Sequence, residues 1–181
     1  DITNGKELPG AKLEIRDADG SLVEGWTSGK VPHTVRGLEL EKAYTLTETR
    51  APDGYAEAES IVFKLVQDGS EQSNMVYVKS DGDWVKLDDA TLIMQDAPVL
   101  DIDKTDIAGN LLPGATLTIR DANDEVVDTW TTDYKTHRVP ISDDFLKLSG
   151  EAKEYIYTLT EDAAPAGFEI AESVQFKVQK A

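Results

Sequence analysis

The chain has 181 residues, with 18 basic and 35 acidic side chains and a net charge of −17. So acidic a chain argues against nucleic acid or an anionic membrane as a partner, because both are polyanions. It has no cysteine, which excludes a disulfide, a thiolate metal site and a thiol nucleophile. No apolar run approaches membrane-spanning length and no signal peptide is visible. The chain starts within a strand-like segment, so we expect it to be a piece of a longer protein.

Short runs of alternating apolar and polar residues dominate the first half of the chain, and few segments have a helical period. They predict strands over residues 11–17, 22–27, 32–38, 43–49, 60–66, 75–79, 83–86 and 91–95. The hairpin signals between them are Asp19-Gly20, Asp68-Gly69 and Asp81-Gly82. Many short strands joined by such turns predict an all-β sandwich.

The second half of the chain repeats the first. Its predicted strands cover residues 100–106, 115–121, 126–131, 138–141, 155–160 and 173–179. The phrase Leu-Pro-Gly-Ala begins at Leu8 and again at Leu112. Tyr44-Thr-Leu-Thr-Glu48 returns as Tyr157-Thr-Leu-Thr-Glu161. A period of about a hundred residues indicates a domain repeat and not a solenoid repeat.

We therefore predict two tandem domains of one fold, residues 1–98 and 99–181. They join near Ala97-Pro98 with almost no linker, which predicts a stiff, end-to-end arrangement. Between its tryptophan and its glutamate, the second copy is nine residues longer than the first. The extra residues fall between Asp143 and Lys153, where we expect a surface loop.

Four ionisable side chains fall on the apolar face of a predicted strand: Glu48, Asp96, Lys104 and Glu161. Side chains alternate between the faces of a strand, so each of the four should point into a core with its apolar neighbours. A buried charge is costly unless it is neutralised or paired. Desolvation favours a neutral lysine amine and a protonated carboxyl group, which can condense to an amide while a glutamic acid moves the protons. This predicts an intramolecular isopeptide cross-link between the first and last strands of a domain.

The same residues resemble a known family, the collagen-adhesin B-type (Cna-B) or SpaA-like prealbumin domains of Gram-positive surface adhesins and pilins. The matching segments are Lys104-Thr-Asp106 with Leu112-Pro-Gly-Ala, Glu48-Thr-Arg-Ala-Pro-Asp-Gly-Tyr55, Glu161-Asp-Ala-Ala-Pro-Ala-Gly-Phe168, and Leu92-Ile-Met94-Gln-Asp96 as the closing strand. The resemblance covers essentially the whole chain, twice. It implies an immunoglobulin-like or prealbumin-like β-sandwich in each half and display outside the cell, on the cell wall.

The resemblance also implies a role for each of the four ionisable residues. Glu48 and Glu161 would promote isopeptide formation, while Lys104 and Asp96 would be cross-linked residues that belong to different domains. Each copy thus holds two members of a constellation of three. Neither copy can form the expected bond from these residues alone.

The missing members define what we expect beyond the given residues. In the first copy the lysine of the family would lie just before Asp1. Lys6 lies in a turn and Lys12 is out of phase with the apolar face, so neither replaces it. The second copy stops at Ala181, before any closing strand. The partners would lie in truncated, cleaved or disordered ends, or in a strand supplied by a neighbouring molecule.

Two other patterns have a functional and a structural interpretation. Asp17-Ala-Asp19-Gly20 resembles the start of a calcium loop, but it lacks the bidentate glutamate at position twelve, so we predict a turn. His33 and His137 stand alone in separate domains and make no metal site or catalytic pair, so we expect both to be solvated.

The tryptophans have structural interpretations of their own. Trp26 and Trp130 recur at matched positions and predict core packing rather than a glycan platform. Trp84 has no counterpart in the second copy, and it is either a strand residue or an exposed contact.

These observations together predict a structural stalk or spacer module of a Gram-positive adhesin or pilus. Its partners would be neighbouring domains of the same surface protein, and no cofactor or metal is expected. The isopeptide bond forms once, so the chain is not an enzyme. One alternative is a module that binds host matrix protein or glycan through the loop between Asp143 and Lys153. A hydrolase with paired carboxylates is a poor fit, since the carboxylates lie singly on core-facing positions.

Overall fold

The computed structural model describes residues 6–67, 74–147 and 154–179. The chain separates into two compact units, with the division between Ala97 and Pro98. Nearly half of the described residues lie in strands, and the only helix among them is short. The prediction of an all-β protein is confirmed.

The first unit is built on one antiparallel sheet in the order β2-β1-β3-β4-β5-β6. Its strands are β1 (Lys12–Asp17), β2 (Leu22–Thr27), β3 (Ala43–Arg50), β4 (Ile61–Gln67), β5 (Asn74–Ser80) and β6 (Asp83–Lys86). The turn between β5 and β6 places Asp81 and Gly82 at φ angles of 49° and 92°. Two consecutive residues with positive φ are what a tight hairpin needs, which explains the Asp-Gly pair. The hairpin predicted at Asp68-Gly69 lies outside the described residues.

One face of this sheet carries the core of the first unit. The buried side chains are Ile15, Tyr44, Leu46, Phe63 and Val76. Two segments that have no ladder partner among the described residues cover this core, and their inward side chains are Val35 and Leu38 in one and Leu92 and Met94 in the other.

The strands predicted over 32–38 and 91–95 are therefore wrong, although both segments lie against the core. Side chains still alternate in the second of them, where Leu92 and Met94 point inward and Ile93 is 71% exposed. A strand needs a hydrogen-bonded neighbour as well as an apolar face. In the second unit the counterpart of 32–38 pairs with another strand, whereas no described residue of the first unit pairs with it in a ladder.

The second unit has two antiparallel sheets, in the orders β12-β11-β8-β9 and β10-β7. Its elements are β7 (Val99–Ile102), β8 (Thr116–Asp121), β9 (Val126–Thr131), β10 (His137–Pro140), α1 (Asp143–Lys147), β11 (Glu154–Ala163) and β12 (Val174–Gln179). Leu100 and Val139 from the smaller sheet meet Ile119 and Tyr157 from the larger one in a single core. This is a β-sandwich, as predicted.

The insertion of the second copy is not simply a surface loop. Its first part forms the helical turn α1, which begins after Ser142, whose Oγ accepts a hydrogen bond from the Phe145 N–H at 3.2 Å. Phe145 and Leu146 are buried in the core, and the Phe145 carbonyl accepts the hydroxyl proton of Tyr157 at 3.2 Å. The expectation of a surface loop is therefore wrong for Phe145 and Leu146, whereas Asp143 and Asp144 of the same helical turn are exposed. In the sequence, the adjacent apolar residues Phe145 and Leu146 indicated burial. The polar residues on either side of them led to the prediction of a loop.

Candidate functional site

Glu48 lies in the core-facing row of β3. Tyr44, Leu46 and Glu48 are all buried, with the residues between them more exposed, and Glu48 is only 3% exposed. Its Oε2 accepts the backbone N–H of Ala58 at 2.8 Å. Its Oε1 is also buried and has no hydrogen-bond donor. The predicted inward orientation of this glutamate is confirmed.

Asp96 lies beside Glu48 and is 5% exposed. Burial raises the pKa of Glu48 to about 7, the N–H of Ala58 opposes this rise, and the charge of Asp96 adds to it. Burial likewise raises the pKa of Asp96. Two adjacent buried carboxyl groups therefore hold protons far more readily than exposed ones do. Lys6 and Lys12 are both exposed, in contrast to this pair.

Lys104 and Glu161 form the corresponding pair in the second unit. Lys104 follows β7 in phase with Leu100 and Ile102, and its Nζ donates to Glu161 Oε2 at 3.1 Å. The same Oε2 accepts the backbone N–H of Ala171 at 2.6 Å, whereas the buried Oε1 has no donor. The side chains of Lys104 and Glu161 are 16% and 2% exposed.

The structure thus brings the four predicted residues together as two pairs, Glu48 with Asp96 and Lys104 with Glu161. Both glutamates stand opposite an equivalent leucine of the neighbouring strand, Leu13 in the first unit and Leu117 in the second. Repeated sequence has produced repeated geometry down to single carboxyl oxygens. The roles of these residues in cross-linking stay predictions.

Two contributors to the site were not predicted, the backbone N–H groups of Ala58 and Ala171. Each lies ten residues after its glutamate. In each unit a Pro-x-Gly-aromatic turn lies between the glutamate and the alanine and reverses the chain. In the first unit the Tyr55 N–H donates to the Pro52 carbonyl across this turn at 3.1 Å. The identical spacing in both copies was the available signal, but alternation along strands says nothing about backbone donors in a loop.

The Leu-Pro-Gly-Ala phrase packs against this same turn. An added Cβ on Gly114 would lie 3.8 Å from the Cβ of Pro165, and the N–H of Gly114 donates to the Thr132 carbonyl at 2.8 Å. Thr132 also braces the phrase through its hydroxyl, which accepts the Ala115 N–H and donates to the Leu112 carbonyl. The phrase therefore anchors the loop that carries the N–H donor to the glutamate.

Replacing Gly114 by alanine should destabilise the second unit by about 1–2 kcal/mol. Gly114 has φ +90°, a conformation that a Cβ disfavours, although the space beside it allows ordinary contact. Urea unfolding of the whole chain measures the loss. The matched control is Gly29→Ala, because a Cβ added to Gly29 would meet no atom within 4 Å and the residue has no positive φ. Equal effects of the two changes would contradict this account.

The two histidines lie at the surface, as expected, with His33 exposed and His137 partly exposed, and each also packs against a tryptophan. His33 stacks on Trp26 with ring centroids 4.4 Å apart, and His137 stacks on Trp130 at 3.9 Å. Each Nε2 also contacts a carboxylate two residues before the tryptophan, Glu24 at 2.7 Å or Asp128 at 2.8 Å. Residues two apart on a strand share a face, so the tryptophan and the carboxylate lie side by side. The histidine can therefore contact both of them at once.

The tryptophans behave largely as predicted. Trp26 and Trp130 are partly buried against the cores of their units, which confirms the packing interpretation. Trp84 lies on β6, is 36% exposed, and has the Lys64 Nζ 5.0 Å from its ring centroid. Asp17 also forms the predicted turn, because its Oδ1 accepts the backbone N–H groups of Asp19 and Ser21.

The fold and the repeated site define a tandem of prealbumin-type β-sandwich domains. The family model of the SpaA prealbumin-like fold domain matches residues 1–79 and 99–181. The chain belongs to this family, as the resemblance implied. The only helix that the described residues form has five residues, and none there is long and apolar enough to span a membrane.

Solved structures include two similar proteins. The Bacillus anthracis TIE protein is 25% identical, with a TM-score of 0.32, and the match covers 100% of this chain and 30% of that one. The pilus-presented adhesin Spy0125 (Cpa), P1 form, is 19% identical, with a TM-score of 0.36, over 90% of this chain and 50% of that one. The chain thus spans half or less of the length of these proteins. No curated protein matches it.

Proposed function

We propose that this chain is a stalk or spacer module of a Gram-positive surface adhesin or pilus, and that an isopeptide bond closes each unit. Family membership supports a structural role at the cell surface. The observation that carries the cross-linking proposal is the repeated buried glutamate. In each unit its Oε1 is buried without a donor, and one member of an amide-forming pair lies beside it.

In the second unit the proposed nucleophile is Lys104. Its ammonium group first gives a proton to the Glu161 carboxylate, and the neutral amine then attacks the carboxyl carbon of an Asp or Asn partner, forming the N–C bond. The C–O bond of an aspartate partner breaks and water leaves, whereas an asparagine partner would release ammonia. Glu161, whose Oε2 is 3.1 Å from Nζ, accepts the proton from nitrogen while a carboxyl proton goes to the leaving group. Nothing regenerates the amine, so the reaction is a single maturation step and not enzymatic turnover.

In the first unit the proposed acyl partner is Asp96, and Glu48 promotes its reaction. A pKa of about 7 keeps much of Glu48 protonated at neutral pH, which suits a group that must give and take protons. The lysine would come from sequence that precedes Asp1, or from a neighbouring molecule. Each unit's missing partner thus stays a prediction about residues beyond the given chain.

The second unit supplies the strand needed to test this proposal in the first. Residues 99–105 can be added directly before Asp1, which reproduces the Lys-Thr-Asp-Ile phrase of Lys104–Ile107. The extended chain should lose the mass of one water molecule, and peptide mapping should place the new link on Asp96. Glu48→Ala or Asp96→Ala in the extended chain should restore the full mass, as should arginine in place of the added lysine. A folded extended chain of unchanged mass would overturn the proposal.

The proposed bond suits a module that bears force. A cross-link that closes a loop of nearly a hundred residues contributes about 4–5 kcal/mol in the chain-entropy account, and it also stops strands from separating. The isopeptide bond would give these cysteine-free domains the covalent cross-link that a disulfide gives other proteins. Neighbouring domains of the same surface protein are the proposed partners, outside the cell, and no cofactor is needed.

Binding of host matrix protein or glycan stays a prediction. Phe145 and Leu146 point into the core, so the described part of the insertion serves packing. A screen of matrix proteins and glycans against the whole chain, repeated after deletion of residues 148–153, would reveal a binding role. Binding that vanished with the deletion would favour that role.

A further inference from the structure

We propose that the backbone N–H groups of Ala58 and Ala171 are positioning groups that decide which oxygen of each buried glutamate serves which reactant. This inference rests on the proposed cross-linking function. Each N–H would hold Oε2 on the side of the lysine nitrogen and leave Oε1 for the acyl partner. The positioning group is the backbone amide and not the alanine side chain.

The geometry is the same in both units. The Ala58 N–H donates to Glu48 Oε2 at 2.8 Å, and the Ala171 N–H donates to Glu161 Oε2 at 2.6 Å. In both glutamates the other oxygen, Oε1, is buried without a donor. The two carboxyl oxygens are thus distinguished in two independent copies. Because the two oxygens of a carboxyl group are chemically equivalent, the amide hydrogen bond fixes the plane of the group and makes its two positions different, one bonded and one free of donors.

The second unit shows which reactant belongs to Oε2. The Lys104 Nζ lies 3.1 Å from Oε2, the oxygen that already accepts the Ala171 N–H. A nitrogen beside Oε2 can pass its proton to that atom as the new N–C bond forms. The proton that completes the leaving water then comes from Oε1 of the glutamic acid. The glutamic acid thus gains one proton at Oε2 and loses one from Oε1, so it ends protonated as it began. Because the reaction occurs only once, the proton need not move back from Oε2 to Oε1.

The first unit places the proposed acyl partner, Asp96, beside its glutamate. Burial raises the pKa of Glu48, and the charge of the adjacent Asp96 adds to this rise. The Ala58 N–H occupies Oε2, so the buried Oε1, which has no donor, is the carboxyl oxygen left for the acyl partner. The nearby charge of Glu57 also raises the pKa of Glu48, and the Ala58 N–H lowers it. The amide therefore both orients the carboxyl group and keeps it able to ionise near neutral pH.

The test removes one N–H without changing a side chain. In the full chain, lactic acid replaces Ala58, so that an ester stands where the amide was, and the Glu48 carboxyl carbon is titrated by carbon-13 NMR. The titration midpoint should rise by about one pH unit, because the ionised form loses its donor. Ala58→Ser, which keeps the N–H, should leave the midpoint unchanged.

A matched ester at Ala56 separates positioning from general damage to the loop. The Ala56 N–H also makes one hydrogen bond, to the Ala97 carbonyl at 2.9 Å, but it does not touch Glu48. The Ala56 ester should leave the Glu48 midpoint in place. Equal shifts from both esters, or no shift from the Ala58 ester, would overturn the inference. If the Ala58 ester prevents folding, the ester at Ala171 provides the matching test in the second unit, read as a change in the carbon-13 chemical shift of the Glu161 carboxyl carbon at constant pH.

The titration needs no cross-link, so it stands apart from the proposed function. In the chain extended by residues 99–105, the Ala58 ester should also slow loss of water at least tenfold, whereas the Ala56 ester should not. If no extended chain loses water but the Ala58 ester still shifts the midpoint, the cross-linking function fails and the positioning geometry survives. If water is lost at equal rates with either ester, the positioning inference fails alone.

Discussion

Replacing Lys104 by methionine is expected to destabilise the second unit by about 3 kcal/mol at pH 7. The Lys104 Nζ is 3.1 Å from Glu161 Oε2, and the two side chains are 16% and 2% exposed. Removal of the cation leaves the Glu161 carboxylate in the core with only the Ala171 N–H to stabilise its charge. Because the Lys104 side chain is slightly exposed, water screens part of the interaction. The expected loss of stability therefore lies at the low end of the range for a buried ion pair.

An exposed ion pair of the same unit provides the control. Lys177 pairs with Glu154, but these side chains are 58% and 44% exposed. Lys177→Met should therefore change stability by less than about 1 kcal/mol. Residue-resolved hydrogen exchange on the full chain reads the second unit separately from the first. A Lys104→Met loss no larger than the Lys177→Met loss would show that Lys104 does not stabilise the buried carboxylate.

The first unit is expected to lose stability as the pH rises from about 5 to 7. The pKa of Glu48 is about 7 in the folded chain, against an ordinary value of 4.5. Between these values the folded state holds a proton that the unfolded state has released, so raising the pH favours unfolding. Over the full interval the loss from this one group is about 3 kcal/mol. Asp96, whose pKa burial also raises, adds a loss of the same sign.

Glu48→Gln should remove most of this pH dependence. The amide of glutamine does not ionise, and it can still accept the Ala58 N–H while donating to Asp96. At pH 8 the variant should be more stable than the wild type, and at pH 5 the advantage should disappear. Glu59→Gln, at an exposed position, should keep the wild-type slope. A wild-type first unit that gains stability between pH 5 and 7 would contradict the raised pKa.

The two expectations show why one sequence motif has opposite consequences in the two units. Glu161 has a cation beside it, so its burial is partly compensated. Glu48 has a second acid beside it, so its burial favours the protonated form. The proposed bond would remove both costs, because an amide carries no charge and a neutral glutamic acid can remain hydrogen-bonded to it.

Alternation along strands was enough to predict the inward orientation of Glu48 and Glu161. Those side chains lie in rows with Tyr44, Leu46 and their counterparts, and a one-residue slip would expose the whole row. The fold class followed from the same pattern and from turn dipeptides such as Asp81-Gly82. Local sequence determines these features because strand alternation and turn conformation are local properties.

Pairing, packing and the fine geometry of the site were decided by the tertiary structure. The segments 32–38 and 91–95 carry strand-like sequence, but a ladder also needs a neighbour, which their own residues cannot specify. Phe145 is buried because its ring packs on that of Tyr157, with centroids 4.7 Å apart. The Ala58 N–H reaches Glu48 only because a turn brings residues ten apart together. Such contacts depend on which surfaces meet in three dimensions, and no alternation pattern along a single strand contains that information.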